Sequence, residues 1–270
     1  MRSFISAAAG IAALSFPFVH AQTFTDCDPT QEDCDNNPGL TESPLVCDFA
    51  ADGESAFQGW TATAGALTYG SDGAEFTINQ RGDAPTIQTD GYIFFGRVDV
   101  TMKAAPGTGI ISSIVLQSDD LDEIDWEFIG GDNANVQSNF FGKGNTTVYN
   151  RGGVHPVADA QGTSHTYSVD WSQESMKFLI DDALIREVPF DADIALGGAN
   201  YPQTPCNVRI GIWAGGDPDN SQGTIDWAGG ETDYAQAPFT MTVQKVEITN
   251  YNPAGAYEWT DRSGSWESIE

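Results

Sequence analysis

The stretch Asp119-Asp120-Leu121-Asp122-Glu123-Ile124-Asp125-Trp126-Glu127-Phe128-Ile129-Gly130 decides how this chain reads. From Glu123 onward, acids alternate with large apolar residues. Glu123, Asp125 and Glu127 fall on one side of a period-two pattern, and Ile124, Trp126 and Phe128 on the other, which is a half-buried β-strand. The apolar side belongs in a core, so the acidic side lines a surface or a cleft. Three like charges on one strand face repel and raise at least one pKa, a cost that tends to mark a working site. Two plainer readings stand beside catalysis. One is a solvated strand face. The other is a calcium site, although a straight E-x-D-x-E run wraps poorly around an ion that wants six to eight oxygens. The spacing suits glycosidic chemistry. On a straight strand the Cα atoms of Glu123 and Glu127 lie roughly 13 Å apart. Leaning side chains can bring the carboxyls to about 5–5.5 Å, the separation of retaining glycosidases. Asp125 sits between them, within reach of either.

The surrounding texture is all-β. Short runs rich in β-formers alternate with Gly, Asp and Asn clusters at spacings of roughly ten residues. The pattern predicts strands at Glu75–Ile78, Tyr92–Lys103, Ile110–Gln117, Glu123–Ile129, His165–Asp170, Met176–Ile180, Val208–Trp213 and Phe239–Tyr251. Helix is expected only briefly, around Asp119–Leu121, and no internal repeat is visible. The simplest architecture is one β-sandwich over residues 48–252. Before it, residues 22–47 read as an irregular, disulfide-tied segment. After it, residues 253–270 read as a surface tail whose Tyr257, Trp259 and Trp266 either pack or bind sugar.

The chain of 270 residues is 40% hydrophobic and 11% aromatic, which excludes wholesale disorder. Its 39 acidic residues outweigh 11 basic ones, for a net charge of −28. That balance argues against nucleic-acid partners and against docking on anionic lipid, and it fits a neutral polysaccharide. The N-terminus reads as a signal peptide over residues 1–21. Arg2 is followed by an apolar run from Phe4 to Val19, and Val19-His20-Ala21 supplies a cleavage site. Export follows, with the mature chain starting near Gln22. The end, Trp266-Glu267-Ser268-Ile269-Glu270, is polar and carries no lipid-anchor signal. Either the protein is released or the chain as given stops short of such a tail.

Four cysteines in an exported chain imply disulfides, with three possible connectivities. Cys27 and Cys34 close a short loop, which leaves Cys47 to pair with Cys206. Asn145-Thr146-Thr147 is an N-glycosylation acceptor. No CxxC or HExxH spacing suggests zinc, no organic cofactor is indicated, and His155 and His165 receive no catalytic role.

The string Glu-Ile-Asp-Trp-Glu-Phe resembles the E-x-D-x-E signature of glycoside hydrolase family 16. The wider match is similar to its fungal Crh branch, the chitin–glucan cross-linking transglycosylases of cell walls. The resembling segments are Asp122–Asp132 (DEIDWEFIGGD), Asn139–Gly153 (NFFGKGNTTVYNRGG), Gly211–Gly216 (GIWAGG) and Gly223–Gly230 (GTIDWAGG). The likeness covers nearly the whole mature chain. It departs from many members in lacking a Ser/Thr-rich stalk and an anchor signal, which bears on wall tethering and not on chemistry.

The resemblance implies a jelly-roll β-sandwich of two curved antiparallel sheets with a concave substrate cleft. It implies Glu123 as nucleophile, Asp125 as assisting carboxylate and Glu127 as general acid/base. It also implies transfer of a chitin-type β-1,4-GlcNAc chain onto β-glucan or chitin, by a secreted or wall-resident enzyme expected to act as a monomer. Sugar clefts pair flat aromatics with amides and charged hydrogen-bonders. On that basis the candidates are Trp227, Tyr149, Lys143, Asn139, Phe141, Arg151, Asp226, Trp213 and Gln137. Trp227 leads because it stands in a Gly-rich stretch expected to be a loop. Trp171 resembles a residue of the strand across the cleft and reads equally as core or cleft wall. Two further readings remain: a hydrolase of the same fold, and a non-catalytic carbohydrate-binding jelly roll.

Overall fold

The computed structural model describes residues 24–147 and 150–270. The expected leader and Tyr149 lie outside them. Two antiparallel sheets pack face to face. In spatial order, the first sheet contains Gly153–Pro156, Asn135–Phe141, Glu123–Ile129, Ile110–Ser118, Cys206–Ala214, Thr86–Thr89 and Trp60–Ala64. The second runs Ala183–Pro189, Ser175–Ile180, His165–Trp171, Gly96–Lys103, Phe239–Asn250, Gly73–Ile78 and Thr68–Gly70, with Leu45–Asp48 added along Phe239–Asn250.

Alternation fixes which way each strand faces. Ile124, Trp126 and Phe128 are almost fully buried between the sheets. They meet Tyr167 and Phe178 of the opposite sheet, with the Trp126 ring 5.4 Å from that of Phe178 and edge-on to it. Neighbouring strands add Leu116, Ile114, Val208, Ile210 and Ile212 to the same layer. Trp126 donates its indole N–H to the Ser168 carbonyl at 3.2 Å, so the one polar atom it carries inside is satisfied. With this side sealed, the acids must face outward. Trp171 is fully buried, its indole donating to the Pro202 carbonyl at 2.9 Å, and is therefore core.

Several expectations are corrected. The Tyr92–Lys103 strand begins only at Gly96, because Tyr92 and Ile93 form isolated bridges. Asp119–Leu121 is a turn closed by the Leu121 N–H on the Ser118 carbonyl, with Leu121 at φ 64°. Short helices appear instead at Phe49–Asp52, capped by Asp48, and at Gln222–Trp227, capped by Ser221. Residues 253–270 do not trail. Ala256–Tyr257 pairs with Asn37–Pro38, Tyr257 is buried, Trp259 donates to Asn37 at 2.7 Å, and the Trp266 N–H donates to Gln203 at 3.2 Å. Among the described residues, no helix is long and apolar enough to cross a membrane.

Cys27 and Cys34 form a disulfide. The second pairing is wrong: Cys47 and Cys206 are separate buried thiols. Cys47 lies on Leu45–Asp48 of the second sheet, where its sulfur accepts the Trp60 indole N–H at 3.2 Å. Cys206 opens a strand of the first sheet and is hydrogen-bonded to the Thr204 carbonyl. Burial raises both thiol pKa values, Cys206 further through Asp122, Asp120 and Asp119, so both stay unreactive. Peptide mapping with alkylation is expected to find one disulfide, Cys27–Cys34, and two thiols that react only after denaturation. A Cys47–Cys206 peptide would contradict this.

Candidate active site

Register places the cleft side chains in rows across the first sheet, because directly opposed residues share a face. One row carries Phe141, Glu123, Gln117 and Asn207. The next carries Asn139, Asp125, Val115, Arg209 and Gln88. The third carries Gln137, Glu127, Ser113 and Gly211, and the fourth holds Ile129, Ile111 and Trp213. The three acids therefore stand in successive rows, flanked by amides on both sides and by an apolar shelf beyond Glu127.

The electrostatics follow from this packing. Glu123 and Glu127 are half-buried and Asp125 is 3% exposed. Burial holds all three carboxyls above their ordinary range. For Glu123 the charge of Asp125 and their mutual hydrogen bond add to the rise, then Glu127, while Arg209 opposes it. Glu127 is pushed up by burial and then by Asp125. Asp125 itself rises only to about 6. Its desolvation is offset by the Glu123 hydrogen bond, by the Arg186 guanidinium and by the Asn139 backbone N–H. The cluster thus contains one acid whose ionisation is held nearest to the ordinary range, flanked by two carboxyls raised further.

Four buried polar atoms in these rows have no hydrogen-bond partner: Asp125 Oδ1, Asn139 Oδ1, Gln117 Nε2 and Asn207 Nδ2. Unpaired buried groups of this kind cost free energy unless something polar meets them. Sugar hydroxyls, which donate and accept, meet that need.

The acidic strand is held by a buried polar knot at its start. Asp122 Oδ1 accepts the Lys143 N–H at 2.9 Å, and Oδ2 accepts the Gln203 N–H at 2.7 Å and the Thr204 hydroxyl at 2.8 Å. Asp120 accepts from the Asp122 N–H and from Thr204. Beneath the strand, Arg186 donates to the Ser138 carbonyl at 2.9 Å, to its hydroxyl at 2.8 Å, and to the Arg151 carbonyl. These residues aim the acids without facing the cleft.

The structure sorts the expected sugar-binding residues. Asn139, Phe141 and Gln137 share the acids' face. Trp227 and Trp213 stack with centroids 6.2 Å apart, and the Trp227 indole donates to Gln137 Oε1 at 3.0 Å. Trp227 ends a short helix and is not in a loop, but it remains at the apolar end of the cleft with Ile111, Ile129 and Ala228. Lys143 directs its ammonium to within 4.0 Å of Asp122. Arg151 is 1% exposed, stacked on Phe141 at 4.8 Å and donating to the Phe140 and Asn145 carbonyls. It braces the loop, contrary to its expected place among the ligand contacts. Asp226 is exposed and accepts from Gln222. Asn145 folds an Asx turn with Thr147. Gln117, Arg209 and Arg186 escaped the sequence reading: strand register places Gln117 beside Glu123 and Arg209 two strands from Asp125, while the Arg186 guanidinium acts on Asp125 from the opposite sheet.

Truncating Trp227 is expected to weaken oligosaccharide use about tenfold while lowering the melting temperature only slightly, because it packs outside the main core. A core tryptophan would instead cost about 3–5 kcal/mol of stability. Thermal unfolding measured beside the rate separates the two, and a large stability loss with unchanged kinetics would move Trp227 to the core.

Comparison with known proteins agrees with this geometry. Residues 54–229 match the family model of glycosyl hydrolases family 16. The chain is 52% identical to Crh-like protein 5 of Aspergillus fumigatus over 97% of its own length and 65% of that protein's. It is 53% identical to Crh-like protein 2 of Botryotinia fuckeliana over 97% and 57%. The chain thus spans less than two thirds of the length of these relatives. A solved Crh5 transglycosylase in complex with NAG is 53% identical and superposes with a TM-score of 0.87, covering 91% of this chain and 99% of that one. A jelly-roll sandwich with an E-x-D-x-E strand on its outward face, matched over this span, places the chain in glycosyl hydrolase family 16, among the Crh-like proteins.

Proposed function

We propose that the protein is a retaining cell-wall transglycosylase that moves a chitin-type β-1,4-GlcNAc chain onto β-glucan or chitin, with hydrolysis as a weak side reaction. The observation that carries this reading is the row of Glu123, Asp125 and Glu127, flanked by unpaired amide and carboxylate atoms, in a chain 53% identical to the Crh5 transglycosylase. Glu123 attacks the anomeric carbon as Glu127 gives its proton to the departing sugar oxygen, so one C–O bond forms while the glycosidic bond breaks. Glu127, now ionised, takes a proton from an acceptor hydroxyl. That oxygen displaces Glu123 and restores both carboxyls. Asp125 hydrogen-bonds Glu123 and keeps its orientation. Export to the cell wall fits the N-terminal leader pattern and the polymeric substrate.

Fluorescent acceptor oligosaccharides mixed with unlabelled chitin test the proposal. Labelled product longer than the acceptor is expected. Shortened donor without labelled product would favour a hydrolase, and binding without any product a non-catalytic module.

A further inference from the structure

Arg186 lies on Ala183–Pro189, at the margin of the second sheet, directly opposed to the buried Phe178. Opposed residues share a face, so Arg186 points into the sandwich and not out to solvent. Its guanidinium carbon stands 5.4 Å from the centre of the Phe178 ring and 5.8 Å from that of Phe140. It donates to the Ser138 carbonyl at 2.9 Å, to the Ser138 hydroxyl at 2.8 Å and to the Arg151 carbonyl. These oxygens are all uncharged, and among the described residues no carboxylate lies within salt-bridge distance of it. A charge brought into the interior without an ion-pair partner is costly.

Register shows what that charge meets. Ser138 is opposed to Trp126, and Asn139 to Asp125. The guanidinium therefore sits on the core side of the first sheet, one strand over and one residue along from Asp125, whose carboxyl is on the outward side. On that outward side Asp125 is surrounded by Glu123, Glu127, the amide of Asn139 and, two strands away beyond Val115, Arg209. The Arg209 charge acts on Glu123, and the Arg186 charge on Asp125. The influence is mutual, because Asp125 supports the charged form of Arg186 against burial. The other ionisable groups packed around Arg186 do not replace it. Arg151 turns its guanidinium to the Phe140 and Asn145 carbonyls, and Lys177 and Glu187 oppose each other on the other face of the second sheet. His155 Nε2 lies 2.8 Å from the Ser138 hydroxyl. Arg186 can only donate, so the hydroxyl keeps its own proton for His155 Nε2. Burial, and then Arg186, holds His155 below the usual imidazole range, in the neutral form that accepts this bond. His155 thus adds no second charge beside the guanidinium.

We propose that Arg186 is a positioning residue for the reaction: it supplies, through the first sheet, the positive charge that stabilises the Asp125 carboxylate between Glu123 and Glu127, and Ser138 with neutral His155 fixes where that charge stands. The proposal rests on the roles given to the three acids above. NMR titration of the isotope-labelled Asp125 carboxyl carbon, identified by its absence from Asp125→Asn, tests it without relying on turnover. In Arg186→Met this carbon is expected to titrate about one pH unit higher than in wild type. In Arg186→Lys it is expected to stay within about a third of a pH unit of wild type, because the charge returns without the planar fork. The acid limb of kcat/KM, which belongs to the coupled Glu123–Asp125 pair, moves up in Arg186→Met and not in Arg186→Lys. Added to Asp125→Asn, Arg186→Met is expected to move neither limb further. A merely structural arginine predicts that the Met and Lys variants lose rate and melting temperature alike, with the titration in place, and that outcome overturns the proposal. Ser138→Ala frees the guanidinium from its hydroxyl anchor without adding bulk to the core, and is expected to move the carbon in the same direction by a smaller amount. Should Arg186→Met fail to fold, an unmoved Asp125 carbon in Ser138→Ala overturns the proposal instead. Absence of transfer by a wild-type protein whose Asp125 titration still depends on Arg186 would count against the transglycosylase and leave the pairing through the sheet standing.

Discussion

Glu123→Gln and Glu127→Gln are each expected to abolish measurable transfer while leaving the fold intact. Losing a general acid costs about 10²–10⁴-fold. Losing the nucleophile removes the covalent intermediate and is expected to cost at least as much. The fold should not suffer, because each Gln keeps the shape and sheds a charge from a crowded face. Burial and the Asp125 charge raise both carboxyls in the folded protein. Between the unfolded and folded pKa values the native state holds more protons than the unfolded chain, so stability falls as pH rises through that window. Each Gln variant removes one such group. Both are therefore expected to melt at least as high as wild type near pH 7, and with a weaker decline from pH 5 to 7. Transfer at near-wild-type rate by either variant would refute the assigned roles, whereas a collapsed melting temperature would mean the loss was structural.

The acidic strand was legible because two signals coincide there: period two, and chemistry on only one of its faces. The same logic located Ile110–Ser118 and Phe239–Asn250 to within two residues. It missed Asn135–Phe141, whose Asn-Val-Gln-Ser-Asn-Phe-Phe sequence is mostly polar because its cleft face carries Gln137 and Asn139. A strand that serves a sugar cleft loses the hydrophobic alternation by which strands are recognised. The cysteine error has a similar origin. Counting cysteines in an exported chain assumes that each one is a cross-link, but Cys47 and Cys206 serve as small buried residues in different sheets. Tyr257, Trp259 and Trp266 were open to either reading, and contacts with distant parts of the chain commit them to packing: the Asn37–Pro38 pairing and the Trp259–Asn37 hydrogen bond, 222 residues apart in sequence, and the Trp266 N–H on Gln203. Gln117, Arg209 and Arg186 were hidden for the same reason: their importance lies in strand order and sheet packing, which no local pattern encodes.

Asp125→Asn is expected to shift the pH–rate profile toward acid as well as to lower the rate. The negative charge of Asp125 raises both neighbours: Glu123 through its charge and hydrogen bond, Glu127 through its charge. With its own pKa at about 6, Asp125 is ionised over the neutral range, where it helps Glu127 keep the proton it must donate. Asparagine has nearly the same shape and no charge. Glu127 then loses its proton at lower pH, and the alkaline limb of kcat/KM, which reports the ionisation of the general acid, moves down. Glu123 also ionises more readily, so the acid limb moves in the same direction. These limbs belong to the coupled triad and not to single residues. At pH 7 the loss is expected to be about 10²-fold, the low end for a compromised general acid, with part of it recovered as pH is lowered. A purely structural role for Asp125 predicts a different result, a uniform loss at every pH with both limbs in place. That outcome, or a displacement of the alkaline limb upward, would show that the Asp125 charge does not hold the proton on Glu127.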